Sequence, residues 1–368
     1  MPKVLGLVSF RIYPTLMGGQ KGVALFYSFL QRYAEVLLAV SSDNEKGTDV
    51  NTENILFTNK KIYFNITRLK KLQQLVHDQK IDLIIAEHSY SAWMAYWLHR
   101  RTGRPFIIHS HNIESKRFRE MNKWWWRFYQ LYESWIHRRS DHNFFISEED
   151  RRFAISSFHL DPLKCSVITY GTGEQPFVNN KTELKIKLGF DPDETILLFN
   201  GTLDYKPNYD AVVSLIEKIE PGLSEKLNDF KIVITGNRAP EALLEKMNKA
   251  DNIVYAGYVT DVNEYYQSAD LFLNPVVNDT GVKTKLIEAI ANHCTAISTI
   301  SGASGLVKEI CGNKLVTVED QDWDRFIDTI IALQKRTNNE TPTSFYDHYN
   351  WKNIAEKASQ KINELVHS

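Results

Sequence analysis

The sequence of 368 residues has few cysteines, no strong charge of either sign and no long apolar run. Its cysteines, Cys165, Cys294 and Cys311, are odd in number and lack metal-ligand spacing, so we expect reduced thiols rather than a disulfide framework. The formal net charge of -1 gives no general attraction to nucleic acid, and no nucleic-acid partner is expected. The apolar run at 4–10 is too short for a signal peptide, and no 18-residue apolar run indicates a membrane-spanning helix. These absences together predict a cytoplasmic protein.

The length and the repeating pattern predict two domains of alternating strands and helices, since one domain takes roughly 150 residues. The first half has strand-like runs at 4–10, 36–40, 83–86, 106–109, 143–146 and 166–169, and helical runs at 23–32, 67–79, 91–101, 119–139 and 151–158. The second half has strand-like runs at 196–199, 232–234, 253–255, 271–273, 295–297 and 315–318, and helical runs at 209–219, 240–247, 262–267, 283–292 and 324–333. This alternation predicts an α/β protein with parallel sheets, whose ligands lie at the carboxyl ends of the strands.

Glycine and proline crowd together at 170–176, which makes this stretch the best domain boundary in the chain. We therefore predict an N-terminal domain at 1–172 and a C-terminal domain at 173–345. The residues 346–368 contain a last helical run, which is free to pack back on the first domain. Earlier in the chain, the run from Ser147 to Asp150 is a capping box that predicts the start of a helix.

The stretch 271–293 combines a short apolar strand, a polar loop ending at Gly281 and a helix. A helix N-terminus carries unpaired N–H groups and a partial positive charge, and Lys283 and Lys285 add two cations beside it. This combination suits a phosphate or a diphosphate, and Glu288 in the helix is suited to accept hydrogen bonds from sugar hydroxyls. The alternative interpretation of these residues is that the lysines are solvated and that Glu288 offsets their charge.

Two further candidates follow strands of the first half. Gly18 and Gly19 permit close approach of the backbone to a ligand, although a tight turn before a helix is the simpler interpretation. His109 and His111 flank a strand end, but no nearby carboxylate or cysteine completes a metal site with recognisable spacing. We therefore predict no metal site, and we favour hydrogen bonding of a histidine to a substrate.

Aromatic and basic residues alternate along 116–139, the most unusual stretch in composition. The helical spacing predicts five side chains that face the sheet: Phe128, Leu131, Tyr132, Trp135 and Ile136. Three adjacent tryptophans, 124–126, cannot all point inward from one helix. Contact of Trp124, Trp125 and Trp126 with a membrane surface is one hypothesis, and packing or a groove for a sugar acceptor are equally good alternatives.

Several segments in this order resemble the retaining glycosyltransferases of family 4, also called glycosyl transferases group 1, which have the GT-B fold. The resemblance covers nearly the whole chain, and it comes from the combined order and spacing of the segments. The second half contributes Phe199-Asn-Gly201-Thr202-Leu203-Asp204-Tyr205-Lys206-Pro207-Asn208, Tyr255-Ala-Gly257-Tyr258-Val259, Ala269-Asp-Leu-Phe-Leu-Asn-Pro275 and Thr280-Gly-Val-Lys-Thr-Lys-Leu-Ile-Glu288. The first half contributes Gly18-Gly19, His111-Asn-Ile-Glu and Ile146-Ser147-Glu-Glu-Asp.

The resemblance implies two Rossmann-like domains that face each other across a cleft, with the C-terminal helix on the N-terminal domain. It implies transfer of a sugar from a UDP- or GDP-linked donor to a glycan or lipid-linked acceptor, with retention of configuration and without a metal or other cofactor. The expected setting is surface polysaccharide or glycoconjugate biosynthesis. The enzyme is expected in the cytoplasm, and contact with the inner face of the membrane is left open.

The resemblance also assigns roles to individual residues. It places Gly18, Gly19 and Gln20 beside the donor phosphate and makes His111 a catalytic residue beside the transferred sugar. It places the nucleotide base at Tyr258 and Val259 and the ribose at Glu288. The loop before Glu288 then faces the sugar and the diphosphate, with Asp279, Thr280, Gly281, Val282, the catalytic Lys283, and Lys285.

Three positions depart from the family pattern. After Gly201 many relatives have an arginine and, a few residues later, a lysine, whereas this chain has Thr202 and Pro207. Lys206, Lys283 and Lys285 are the nearest cations that can substitute for them. The first of two glutamates eight positions apart is replaced by Thr280. These departures keep two alternatives open: a non-catalytic GT-B binding partner, and a nucleotide-sugar epimerase or hydrolase.

Overall fold

The computed structural model describes residues 1–15, 18–45, 49–57, 65–176, 180–277, 281–335 and 340–367. It divides into two compact units. Unit 1 consists of Met1–Gly171 together with Trp351–Ser368, and unit 2 consists of Thr172–Asn350.

Unit 1 is built on a parallel sheet of seven strands, in the order β3-β2-β1-β4-β5-β6-β7. The strands are β1 (Lys3–Val8), β2 (Glu35–Ser41), β3 (Asn51–Leu56), β4 (Leu83–Glu87), β5 (Phe106–Ser110), β6 (His142–Phe145) and β7 (Cys165–Val167). The central strands are almost wholly buried, because helices cover both faces of a parallel sheet. The chain moves outward from β1 in one direction to β3 and then returns to place β4 on the other side, so the strand order reverses between β1 and β4.

The helices of unit 1 follow the strands in the β/α pattern expected from the sequence. They are α1 (Gly18–Leu30), α2 (Leu69–Asp78), α3 (Ser89–Thr102), α4 (Glu114–Glu120), α5 (Trp126–His137), α6 (Glu148–Phe158) and, from the end of the chain, α16 (Trp351–His367). α16 packs against α1. The ring of Trp351 at its start stacks on Phe29, and a Cβ at Gly171 would lie only 2.6 Å from this indole. Glycine is therefore required where the two segments of unit 1 meet.

Two expectations for unit 1 are wrong in detail. The sequence does not predict β3, because this strand is mostly polar and only Ile55 and Leu56 in it are buried. The single helix predicted at 119–139 is two helices, α4 and α5, with a break at 121–125. The capping box is confirmed, because the Ser147 side chain accepts a hydrogen bond from the Asp150 N–H at the start of α6.

Unit 2 repeats the architecture with a parallel sheet of six strands, in the order β10-β9-β8-β11-β12-β13. The strands are β8 (Thr195–Asn200), β9 (Phe230–Thr235), β10 (Ile253–Gly257), β11 (Leu271–Asn274), β12 (Thr295–Thr299) and β13 (Leu315–Val318). In this sheet the strand order reverses between β8 and β11.

The helices of unit 2 cover a large apolar core on this sheet. They are α7 (Lys181–Lys187), α8 (Lys206–Ser214), α9 (Glu220–Ser224), α10 (Glu241–Asn248), α11 (Val262–Ser268), α12 (Thr284–Ala291), α13 (Lys308–Cys311), α14 (Trp323–Leu333) and α15 (Thr343–Tyr349). One turn of π-helix, Leu215–Ile219, joins α8 to α9. The predicted α/β architecture of two Rossmann-like units is thus confirmed, and within the described ranges no helix is long and apolar enough to cross a bilayer.

Candidate functional site

In each unit the candidate residues follow strands at the point where the strand order reverses. In unit 2, Gly201 comes directly after β8, and the loop leading to α12 comes after its neighbour β11. In unit 1, the segment leading to Gly18 follows β1, and His88 follows the neighbouring β4. Open α/β sheets bind ligands in the crevice at this reversal, because the two neighbouring loops diverge there. The topology therefore marks one candidate ligand site in each unit.

Lys285 connects the two loops at the reversal in unit 2. Its ammonium Nζ donates a hydrogen bond of 2.8 Å to the Asn208 side-chain oxygen. The amide of Asn208 in turn donates to the Thr202 carbonyl at 3.0 Å. Lys285 Nζ also lies 4.3 Å from the ring centroid of Phe199, a cation–π distance. These contacts hold a cation at a defined place between β8 and β11.

The turn after β8 is fixed by close backbone packing. A Cβ at Gly201 would lie 2.7 Å from the Asn208 side-chain nitrogen. A Cβ at Gly236, after the adjacent strand β9, would lie 1.8 Å from the Gly201 carbonyl oxygen. Glycine is therefore required at Gly236, and a larger residue at Gly201 would displace the Asn208 side chain.

The turn before α12 carries a second lysine, Lys283, which is buried. Gly281 has φ +83°, which favours glycine, and Lys283 Nζ donates to its carbonyl oxygen at 2.8 Å. α12 starts at Thr284, so its unpaired N–H groups follow this turn directly. Val282 packs closely on Gly305, because a Cβ placed on Gly305 would lie 3.0 Å from the Val282 side chain. Two other predicted site residues of this loop, Asp279 and Thr280, lie outside the described residues.

The remaining candidates of unit 2 differ in their surroundings. Glu288 is half-buried and lies three residues beyond Lys285 in α12. Tyr258 follows the end of β10 with 64% of its surface exposed, and Val259 next to it is half-buried. Lys206 has 82% of its side chain exposed and pairs with Asp210 at 2.6 Å along α8. Lys206 is thus engaged at the surface of α8, whereas Lys285 is held between the two loops.

In unit 1 the glycine pair forms the first turn of α1. A Cβ placed on Gly19 would meet nothing within 4 Å, so the space beside this residue is open. Gln20 donates a hydrogen bond of 3.0 Å to the Arg11 carbonyl, which ties the start of α1 to the segment after β1. The start of α1 thus follows one of the two strands at the reversal, and His88 follows the other. This start consists of Gly18, Gly19 and Gln20.

A buried carboxylate, Glu87, lies at the centre of the unit 1 site. It is the last residue of β4 and has no exposed surface. His111 Nε2 lies 2.5 Å from its Oε2, and His109 Nδ1 lies 3.2 Å from its Oε1. The Tyr27 hydroxyl donates to Oε1 at 2.7 Å. Burial raises the pKa of Glu87, but the charge of His109 and the hydrogen bonds from His109 and His111 outweigh this and hold the pKa well below its usual value.

The expectation that no carboxylate lies near the histidine pair is therefore wrong. Glu87 is 22 residues before His109 in the chain, so spacing within one segment gave no signal. The two are register partners on adjacent strands, β4 and β5, and this pairing is the signal that identifies the cluster. Glu87, His109 and His111 each offer one ligand atom within 4.8 Å of the others. A metal ion there would have to displace the protons of the hydrogen bonds between them.

His111 itself is held in its neutral form. Burial, followed by the charges of His88 and His109, lowers its pKa to about 4, although Glu87 opposes this shift. The ring of His88 stacks on His111 with centroids 4.5 Å apart. The His111 side chain is 16% exposed, whereas its partner Glu87 is fully buried. A ligand can therefore reach the imidazole from the solvent side.

The tryptophan stretch exposes a different apolar set from the one predicted. Trp124, Phe128 and Leu131 have 81%, 68% and 71% of their surface exposed. The expectation that Phe128 and Leu131 face the sheet is wrong. It is confirmed for Ile136, which is buried in the core, and for Tyr132 and Trp135, which pack against that core. Glu133 on α5 is buried as well. Glu133 accepts hydrogen bonds from the Ser89 hydroxyl and from the N–H groups of Glu114 and Ser115. A polar inward residue concealed the true periodicity of this helix.

The two other tryptophans are partly covered. Trp125 packs on Phe118, with ring centroids 4.5 Å apart. Trp126 lies beneath the guanidinium groups of Arg119 and Arg127, at 5.8 and 5.3 Å from its ring centroid. We therefore define the aromatic face of unit 1 as Met121, Trp124, Phe128 and Leu131, all exposed and spaced three or four residues apart.

Comparison with known proteins decides the class of protein. Residues 28–172 match the family model described as Glycosyltransferase Family 4, and residues 194–336 match the model described as Glycosyl transferases group 1. The chain is a glycosyltransferase of the GT-B type. The two models meet near the boundary between its two units.

The glycosyltransferase is similar to a curated bacterial galactosyltransferase. It is 23% identical over 287 residues to an Escherichia coli UDP-Gal:alpha-D-GlcNAc-diphosphoundecaprenol alpha-1,3-galactosyltransferase, covering 72% of this chain and 69% of that enzyme. Across four curated relatives, the matched stretch covers between 36% and 69% of the relative's length.

Solved structures share its fold over the whole length. A sucrose-phosphate synthase from Thermosynechococcus elongatus superposes with a TM-score of 0.77 at 15% identity, covering 100% of both chains. The Anabaena protein HepE, solved in complex with UDP, superposes with a TM-score of 0.73 at 14% identity, covering 98% of this chain and 100% of HepE.

Proposed function

We propose that this glycosyltransferase moves a sugar from a UDP- or GDP-linked donor to a glycan or lipid-linked acceptor in surface polysaccharide or glycoconjugate synthesis. One observation carries the proposal: Lys285, tied through Asn208 to the Gly201 turn, holds a cation at the strand reversal of unit 2. A diphosphate is the ligand that such a cation and the adjacent start of α12 suit best. The UDP complex of HepE and the undecaprenol diphosphate substrate of the E. coli relative support the donor and acceptor classes.

Within this proposal, the diphosphate is the leaving group. The bond between the anomeric carbon and the diphosphate oxygen breaks while negative charge develops on that oxygen. Lys285, Lys283 and the N–H groups at the start of α12 stabilise this charge, since fixed donors need no reorganisation during the reaction. Tyr258 and Val259 contact the base, and Glu288 accepts hydrogen bonds from the ribose hydroxyls. The glycine pair and Gln20 of unit 1 approach the phosphate.

We further propose retention of configuration without a metal ion. The acceptor oxygen attacks the same face from which the diphosphate departs, and its proton passes to the departing diphosphate oxygen. His111 contacts the transferred sugar and orients it for this attack. The two lysines and the helix start supply the positive charge that a divalent cation supplies in other transferases.

A donor screen tests the proposed function. We expect calorimetry to detect binding of at least one UDP- or GDP-sugar, and transfer to a lipid-linked acceptor to persist in EDTA. Rapid donor consumption without an acceptor would indicate a hydrolase or an epimerase instead. A protein that binds no nucleotide-sugar in the panel would contradict the proposal and favour a non-catalytic binding protein.

We propose that the aromatic face contacts an anionic lipid surface, where a lipid-linked acceptor resides. Its surroundings are basic: the stretch 114–139 contains seven lysines and arginines and three glutamates. Two of these glutamates, Glu114 and Glu133, are fully buried. Each cation near an anionic bilayer contributes about 1 kcal/mol, and the exposed rings and aliphatic side chains insert at the headgroup boundary.

Replacing Trp124, Phe128 and Leu131 together by serine should reduce binding to anionic vesicles by about 10²-fold, because three apolar side chains no longer insert. Co-sedimentation with vesicles containing phosphatidylglycerol measures the change. Leu163→Ser is the matched control, since Leu163 is equally exposed elsewhere in unit 1 and should have little effect. Equal binding by the triple variant and the wild type would exclude the aromatic face as the membrane contact.

A further inference from the structure

We infer that Glu87 is a positioning residue that fixes His111 with its proton on Nε2, so that Nδ1 is the nitrogen that accepts a hydrogen bond from a sugar hydroxyl. The sugar contact rests on the proposed function. The proton on Nε2 follows from the contact with Glu87, and the neutral state of His111 leaves Nδ1 unprotonated. No motif of the sequence marks this carboxylate, because the fold rather than the local spacing brings it to the histidines.

The hydrogen bonds around Glu87 determine where the protons lie. An ionised carboxylate accepts hydrogen bonds and donates none. The imidazole nitrogens that face it, His111 Nε2 at 2.5 Å and His109 Nδ1 at 3.2 Å, must therefore carry protons. The Tyr27 hydroxyl supplies a third donor. Three donors satisfy a carboxylate that has no contact with solvent, as a buried charge requires.

A neutral imidazole with its proton on Nε2 has its lone pair on Nδ1. His111 is neutral at pH 7, since its pKa of about 4 lies well below that value. Its free lone pair can then accept a hydrogen bond from a hydroxyl group, which a protonated imidazole cannot do. Glu87 thus determines which nitrogen of His111 is presented to a ligand.

His88 restrains the ring of His111 from another side. The two rings stack with an interplanar angle of 26°, and His88 Nδ1 lies 3.2 Å from Glu114 Oε1. His88 has φ +64°, a backbone conformation that residues other than glycine rarely adopt. Such strained positions concentrate at functional sites, where the surrounding structure imposes them. The end of β4 therefore supplies both the hydrogen-bond partner and the stacking partner of His111.

The tautomer is measurable without any substrate. In protein labelled with ¹⁵N-histidine, protonated and unprotonated ring nitrogens resonate in separate regions, and the signals missing from His111→Ala identify His111. We expect the wild type at pH 7 to show a protonated Nε2 and an unprotonated Nδ1. A protonated Nδ1, or an imidazolium with both nitrogens protonated, would overturn the inference. So would one equivalent of bound zinc that is lost in Glu87→Gln, because the nitrogens would then bind metal.

Kinetics then test whether Glu87 acts through His111. We expect Glu87→Gln to lower kcat about tenfold with the donor KM changed less than threefold, since the amide no longer enforces the tautomer. In the His111→Ala background the same substitution should cause no further loss, whereas an independent structural role would give additive losses. Glu133→Gln is the matched control. It alters another fully buried glutamate of unit 1 and should leave the His111 tautomer unchanged.

These experiments separate two kinds of failure. If the wild type binds no nucleotide-sugar, the proposed function fails, but the nitrogen shifts of His111 still report on Glu87. If transfer is detected and Glu87→Gln lowers kcat equally in the presence and absence of His111, the positioning role fails while the proposed function stands. If Glu87→Gln does not fold, the tautomer of the wild type decides alone.

Discussion

Replacing Lys285 by alanine is expected to lower kcat for sugar transfer by about 10²–10³-fold, the usual effect of removing one donor that stabilises a developing anion. The reason lies in its placement between β8 and β11, where Asn208 and Phe199 hold the ammonium in position. The arginine and lysine that many relatives have after Gly201 are replaced here by Thr202 and Pro207. Lys206, the lysine nearest to Gly201, pairs with Asp210 at the surface of α8, so we do not expect it to compensate for the loss of Lys285. Steady-state kinetics with saturating donor measure the change.

The effect of Lys285→Ala must be separated from a change in folding. Lys226→Ala is the matched control, because Lys226 forms a surface ion pair with Asp328 in the same unit and should leave kcat unchanged. Both variants should unfold at nearly the wild-type temperature, since each loses a side-chain contact at an exposed or half-exposed position. A Lys285→Ala enzyme with wild-type kcat and normal unfolding would remove this lysine from the diphosphate site.

Replacing His111 by alanine is expected to lower kcat by about 10²-fold, while the dissociation constant for the nucleotide changes less than threefold. The imidazole belongs to unit 1 and is fixed by Glu87 and His88. We propose that the nucleotide is bound by unit 2, so the loss should appear in turnover rather than in nucleotide affinity. Single-turnover kinetics and calorimetry with UDP and GDP measure the two quantities separately.

His77→Ala is the matched control for this variant, because His77 is an exposed histidine of unit 1 at the end of α2. It should change neither quantity. Unchanged turnover in His111→Ala would reject the assigned role. A large loss of nucleotide affinity with unchanged turnover would place His111 in nucleotide binding instead.

Local patterns in the sequence predicted those parts of the fold that local chemistry determines. Except for β3, the strands of both sheets are visible as apolar runs, since a strand buried on both faces has little polar surface. Ser147 was recognisable as a helix cap, because the side chain and the N–H that it bonds are three residues apart. The turn at Gly281 was visible for the same reason: a glycine and a following amphipathic helix lie within ten residues.

The parts that the sequence concealed depend on contacts between distant segments. Glu87 joins the histidine cluster through strand pairing, and no local pattern shows which strands are neighbours. The order of the strands also decides that Gly201 and the turn before α12 are adjacent. Phe128 and Leu131 were placed inward by periodicity, whereas hydrogen bonds to a buried Glu133 turn the helix and expose them. β3 has too little apolar character to be recognised before its neighbour β2 is known.

A crystal structure of this protein soaked with UDP tests the central claim most directly. We expect the diphosphate to lie within hydrogen-bond distance of Lys285 Nζ and of the N–H groups at the start of α12. We also expect the uracil near Tyr258 and the ribose at Glu288. Well-ordered UDP bound elsewhere, with Lys285 Nζ still bonded to Asn208 and not to the diphosphate, would contradict this assignment.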